Sequence, residues 1–136
     1  MQRFLKYKGK FSVTSNANLK IRITKLARSL ALGWLDTNRI YAVSSVNSRS
    51  SAVARIWGLS KIWQETLGTG PAYIIETVSE KFDKLSDGQK DEVVLHEITH
   101  IPHNFSGALL PHTRRGKSNF HKKLDRLIAS YRKNKR

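Results

Sequence analysis

Three of the five histidines in this 136-residue chain fall within eight residues, in the stretch "VVLHEITHIPH" (Val93–His103). His96 and His100 are four apart, so on a helix their rings leave the same face, with Glu97 beside them. Two imidazoles at that spacing can bind Zn²⁺. An adjacent carboxylate can then take a proton from zinc-bound water and pass it to the leaving amine. The His-Glu-x-x-His pattern therefore makes His96 and His100 candidate metal ligands and Glu97 a candidate general base for hydrolysing a peptide bond. Zinc lowers the pKa of its water to about 7, which makes hydroxide available near neutrality.

A catalytic zinc site needs a third protein ligand and an open position. After Glu97 the only acid is Asp125, and the position six residues after His100 is Ser106, so the candidates are His103, His112, His121 and Asp125. His103 lies just past Pro102, where the chain has left the helix and turned the ring away. His112 follows the Gly-containing loop "NFSGALLPH", long enough to fold back toward the metal. His121 stands at the start of the last helix and could also point inward.

Several elements must position these residues. Ser86-Asp87-Gly88-Gln89 has the form of a capping box, and the helix it starts runs to Pro102, which ends a helix at or before the preceding residue. "AYIIETVS" (Ala72–Ser79) is rich in β-branched and aromatic residues and reads as a strand. "RIYAVSS" (Arg39–Ser45) alternates in polarity and reads as another. Ile23, Leu26, Leu30 and Trp34 give helical spacing to Leu19–Leu35. Residues 50–68 read as helix, in two pieces joined at Gly58, and a final helix spans Ser118–Tyr131. The class is α+β, one domain over residues 1–136. Its core spans about residues 19–128, flanked by a basic N-terminal segment, 1–20, and a basic C-terminal tail, 129–136.

The formal charge of +15 is unevenly placed. Residues 1–28 carry eight Lys/Arg and no acid; residues 113–136 carry ten and one acid. Such ends favour a polyanion, because lysine and arginine contacts to phosphates release counterions. The candidate nucleic-acid contacts are Lys6, Lys8, Lys10, Lys20, Arg22, Arg114, Arg115, Lys117, Lys122, Lys123, Arg126, Arg132, Lys133, Lys135 and Arg136. The terminal arms are expected to be mobile when free. The chain has no cysteine, no secretory h-region and no apolar run near the roughly 20 residues of a membrane span. That composition fits a reducing cytoplasm and no membrane partner.

The segments "ARIWGLSKIWQ", "AYIIETVSEKFDKLS" and "VVLHEITHIPHNFSGALLPH" resemble the archaeal and phage metallopeptidases related to the SprT-like zinc peptidases, over about residues 38–112. The resemblance implies a small zincin-like fold, with a short sheet packed on the helix that carries the motif. It implies His96, His100 and His112 as zinc ligands, Glu97 as general base, and a strand at Ala72–Ser79 that pairs with an extended peptide or protein substrate. Two function classes follow. The first is a zinc metallopeptidase associated with nucleic acid through its basic ends. The second is a non-catalytic zincin-fold RNA-binding protein, such as a ribosomal or other ribonucleoprotein component.

Overall fold

The computed structural model describes residues 9–112 and 120–135. The elements are β1 (Ser12–Ser15), α1 (Ala17–Ser29), a 3₁₀ turn (Thr37–Arg39), β2 (Ile40–Val46), β3 (Ala54–Gly58), α2 (Lys61–Leu67), β4 (Tyr73–Val78), α3 (Ser79–Phe82), α4 (Asp87–Thr99) and α5 (Phe120–Asn134). The four strands form one mixed sheet in the order β1-β2-β4-β3; β2 and β4 are parallel, the outer pairs antiparallel. Thus the chain is a small α+β protein.

The core lies between the sheet and the helices. Leu19, Ile23 and Leu26 from α1 meet Ile40 and Ala42 of β2, Tyr73 and Ile75 of β4, and Val94, Leu95 and Ile98 of α4. The β4 residues alternate in the way a half-covered strand requires: Tyr73, Ile75 and Thr77 point one way, Ile74 and Glu76 the other. α1 stops at Ser29, earlier than its apolar spacing predicts. Leu32 N–H donates to the Ala27 carbonyl and Ala31 N–H to that of Arg28, with Ala31 at φ 54°, so a Schellman cap turns the chain before Leu30 and Trp34 pack.

The largest departure from the sequence reading is β3, which lies inside the 50–68 segment that reads as helix. Short apolar runs do not separate strand from helix by periodicity alone. The decisive contact is across the sheet. Arg55 and Trp57, two apart and hence on one face, both reach the buried Glu76 of β4, at 2.9 and 3.1 Å from the guanidinium and 2.9 Å from the indole N–H. Ser45 of β2 donates to the same carboxylate at 2.5 Å. Burial alone would raise the Glu76 carboxyl, but these donors outweigh it and leave it below the ordinary range. β1 was not anticipated either; its four residues are all exposed and carry little pattern.

Helix α4 begins as its sequence demands. The Ser86 hydroxyl accepts from Gln89 N–H and the Gln89 side chain accepts from Ser86 N–H, completing the capping box. α4 is then held from both sides. Asp91 accepts from Arg22 of α1 at 2.5 Å and from the Tyr131 hydroxyl of α5 at 2.7 Å, while Arg132 chelates Glu92 through two bonds of 3.0 Å.

Residues 129–134 therefore are not a mobile tail: they are the last turns of α5, with Tyr131 buried against the core. Ending the chain after Ser130 removes that ring, its bond to Asp91 and the Glu92 ion pair. We expect a loss of about 3 kcal/mol, from aromatic burial and one charge-assisted hydrogen bond. Thermal unfolding followed by circular dichroism should show the midpoint fall by roughly 10 °C.

Candidate metal centre

His96 on α4 and His100 at its C-cap share one face, and the loop after Pro102 brings a third imidazole to them. One ring nitrogen from each of His96, His100 and His112 lies within 4.8 Å of the others. His96 Nε2 and His112 Nε2 are 3.0 Å apart, nearer than two neutral acceptors would sit without a proton or a cation between them. The Phe120 ring of α5 packs against all three, with centroids 4.5 to 5.2 Å away, and forms an apolar wall.

His112 arrives through a sequence of fixed contacts. Leu110 N–H donates to the His100 carbonyl at 2.7 Å, and the Leu110 carbonyl lies 2.6 Å from His100 Nδ1. The carbonyl can only accept, so His100 holds its proton on Nδ1 and presents the lone pair of Nε2 to the cluster. This is the usual outer bond of a metal-ligating histidine. Upstream, the buried Tyr73 hydroxyl accepts from Gly107 N–H at 2.7 Å and donates to the Ala108 carbonyl at 2.8 Å. Gln64 of α2 donates to the carbonyls of Leu59 and Ser106 at 2.7 and 2.9 Å. The crossing is close enough to need glycine twice. A Cβ at Gly58 would stand 2.1 Å from the Gly107 carbonyl oxygen; at Gly107, where φ is 98°, it would stand 2.3 Å from that of Leu59.

The electrostatics suit cation binding. Burial, then the neighbouring histidines, push His96 down to about 4; burial also lowers His100 despite its bond to Leu110. Both are thus neutral near pH 7, as metal ligation requires. Glu97 is 8% exposed, and no donor reaches its carboxyl among the described residues. Burial raises it to about 7. Glu97 and the three histidines open onto a cleft of about 760 Å³ whose other side is β3 with Arg55, Ile56 and Trp57.

The remaining candidates lie elsewhere. His103 stacks on Trp34 with centroids 4.3 Å apart. His121 is exposed at the start of α5 and Asp125 is exposed one turn later; neither joins the cluster. Tyr73, Gln64, Gly58 and Gly107, which seat the loop, were not singled out from sequence. Nothing in their local pattern shows that they meet.

Of the basic residues, Lys6, Lys8, Arg114, Arg115, Lys117 and Arg136 lie outside the described residues. Lys10, Lys122, Arg126, Lys133 and Lys135 are exposed. Four others have structural partners, although Arg132 stays exposed. Lys20 bonds the Thr37 and Ile40 carbonyls, and Arg22 pairs with Asp87 and Asp91. Lys123 bonds the Ile101 carbonyl, where burial lowers it to about 8, and Arg132 pairs with Glu92. Among the described residues no helix is long and apolar enough to cross a membrane.

Residues 11–132 match the family described as "putative phage metallopeptidase". The chain belongs to that family. No curated protein and no solved structure matches it. Family membership and the three-histidine cluster together point to a metal-dependent peptidase.

Purified without chelator, the protein is expected to hold one divalent ion per chain, and His96→Ala or His112→Ala to hold none; elemental analysis decides this. Tyr73→Phe keeps the ring but frees the loop. It should leave the stoichiometry at one and weaken affinity about tenfold, the effect of losing an outer-shell contact, as read by competition with a chromogenic chelator.

Proposed function

We propose that the protein is a zinc-dependent endopeptidase with a zincin-like, SprT-related architecture. The observation that carries this reading is a buried Glu97 carboxyl, unpartnered among the described residues, beside three converging imidazoles, all facing one open cleft. An all-nitrogen set of three histidines suits zinc and leaves a coordination position for substrate or water. Zinc bound there would polarise the scissile carbonyl and acidify the attacking water.

The chain's own residues do the rest. Glu97 accepts a proton from the attacking water and returns it to the departing amine nitrogen. Its apolar surroundings keep its proton affinity near that of a base useful at neutral pH. His100 is held in one tautomer by Leu110, and Phe120 excludes water from the back of the cluster.

The substrate-pairing strand is β3 and not the Ala72–Ser79 strand that the resemblance implies. β4 lies between β2 and β3, so both its edges are taken; β3 has β4 on one side and the cleft on the other. Its free edge offers main-chain donors and acceptors to an extended peptide, the strand-addition mode of recognition. A folded, compact substrate cannot supply such a strand. Unfolded or flexible protein segments are therefore the substrate class.

Glu97→Gln in the zinc-loaded protein is expected to lower cleavage of unfolded casein by about 10²- to 10⁴-fold, with zinc content unchanged. 1,10-Phenanthroline should abolish the wild-type activity and added zinc restore it. Full activity in Glu97→Gln would overturn the assignment.

A further inference from the structure

The cleft has a side chamber that the chemistry above does not use. Val53, Leu85 and Val93 pack on the core by one side only and are half-buried. With Ala54 they wall a cavity of about 490 Å³ that reaches His96 and Glu97. Gln89, Val93 and Glu97 follow one another at four-residue steps, so a single stripe of α4 leads from the mouth of the cavity to the catalytic carboxylate. Ala54, the first residue of β3, lines both this cavity and the metal cleft. A strand laid along β3 therefore passes the cavity next to Glu97. Alternate side chains of such a strand point to opposite faces, so a residue flanking the scissile bond can project between β3 and α4.

The lining decides what that residue is. Apart from Glu97 the one acid in the wall is Glu92, and both its oxygens are engaged by Arg132 at 3.0 Å. A cationic side chain would find no unpaired acid there beyond the catalytic one. An anionic one would lose its water beside the Glu97 carboxylate, with the one nearby cation, Arg132, already committed to Glu92. Aliphatic and aromatic side chains lose nothing polar and cover three apolar walls.

We propose that the cavity bounded by Val53, Ala54, Leu85 and Val93 is a specificity pocket that takes an aliphatic or aromatic substrate residue adjoining the scissile bond. This rests on the peptidase reading, and it names the sequence class that the site selects.

The test profiles cleavage sites of the zinc-loaded, full-length protein on a degenerate peptide mixture by mass spectrometry. Leu, Ile, Met or Phe should dominate one position next to the cut. Val93→Trp fills the pocket and should lower the ratio of kcat/KM for a Leu peptide over its Ala analogue at least about tenfold, the scale of one or two methylenes in a binding pocket. Leu85→Ala enlarges it and should move the preference toward Phe and Trp. Zinc per chain and a cooperative melt establish that each variant is folded. Cleavage with no apolar preference at either flanking position, or profiles unchanged in both folded variants, overturns the pocket and leaves the peptidase reading standing. If the wild type cuts nothing, that reading falls. Retention of the same peptide mixture on immobilised, zinc-loaded Glu97→Gln protein then decides the pocket. Apolar enrichment lost on adding Val93→Trp supports it; retention without enrichment overturns it.

Discussion

The hydroxyl of Tyr73 is the point on which the arrangement of the metal centre turns. Tyr73 is 1% exposed at the first position of β4, the strand that both joins the two halves of the sheet and underlies α4. By accepting from Gly107 and donating to Ala108 it ties the loop after α4 to the sheet. A buried hydroxyl with both bonding roles used is hard to displace, because any other loop path leaves polar groups unpaired in the interior. From that point the chain has only two residues to run before Leu110 pairs with His100, and two more to reach His112.

Close approach has a geometric cost that the sequence meets with glycine. Gly58 and Gly107 stand where the end of β3 and the histidine loop cross, and side chains at either would strike a carbonyl oxygen. The same crossing brings Gln64 of α2 within reach of Ser106 and Leu59, which explains a buried glutamine on a short helix whose Ile62, Trp63 and Leu67 face outward. The edge strand, the short helix and the metal loop thus form one unit, and β3 is fixed relative to the metal ligands. For the endopeptidase proposed above, this rigidity would set where the scissile bond lies relative to Glu97.

Part of the positive charge is structural. Arg22, Arg132 and Lys20 hold α1, α5 and the turn before β2 in place, and Lys123 bonds a carbonyl just past the C-terminal end of α4, where positive charge is favourable. Lys122, Arg126, Lys133 and Lys135 remain on the solvent side of α5. Counting cations along the chain does not separate these two populations, because only the partner, from 17 to 69 residues distant, makes the difference.

The sequence by itself determined the parts that depend on neighbours within one helical turn. The spacing of His96, Glu97 and His100, the Ser86–Gln89 capping box, the strand at 73–78 and the stop near Pro102 are all set by local backbone geometry and side-chain chemistry. Composition also narrowed the third ligand to His103, His112, His121 or Asp125, since acids are nearly absent after Glu97, and Pro102 set His103 apart. What only the tertiary structure decided are the pairings across the chain. Residues 54–58 are a strand because Arg55 and Trp57 both find Glu76, and no pattern inside those five residues records that. Residues 129–134 are helix because Tyr131 finds Asp91. His112 joins the cluster because Tyr73, Gln64 and two glycines from three separate segments fix its loop. Such contacts gain their energy from burial and bonding between residues distant in sequence, so they exist only once the fold has brought both partners together.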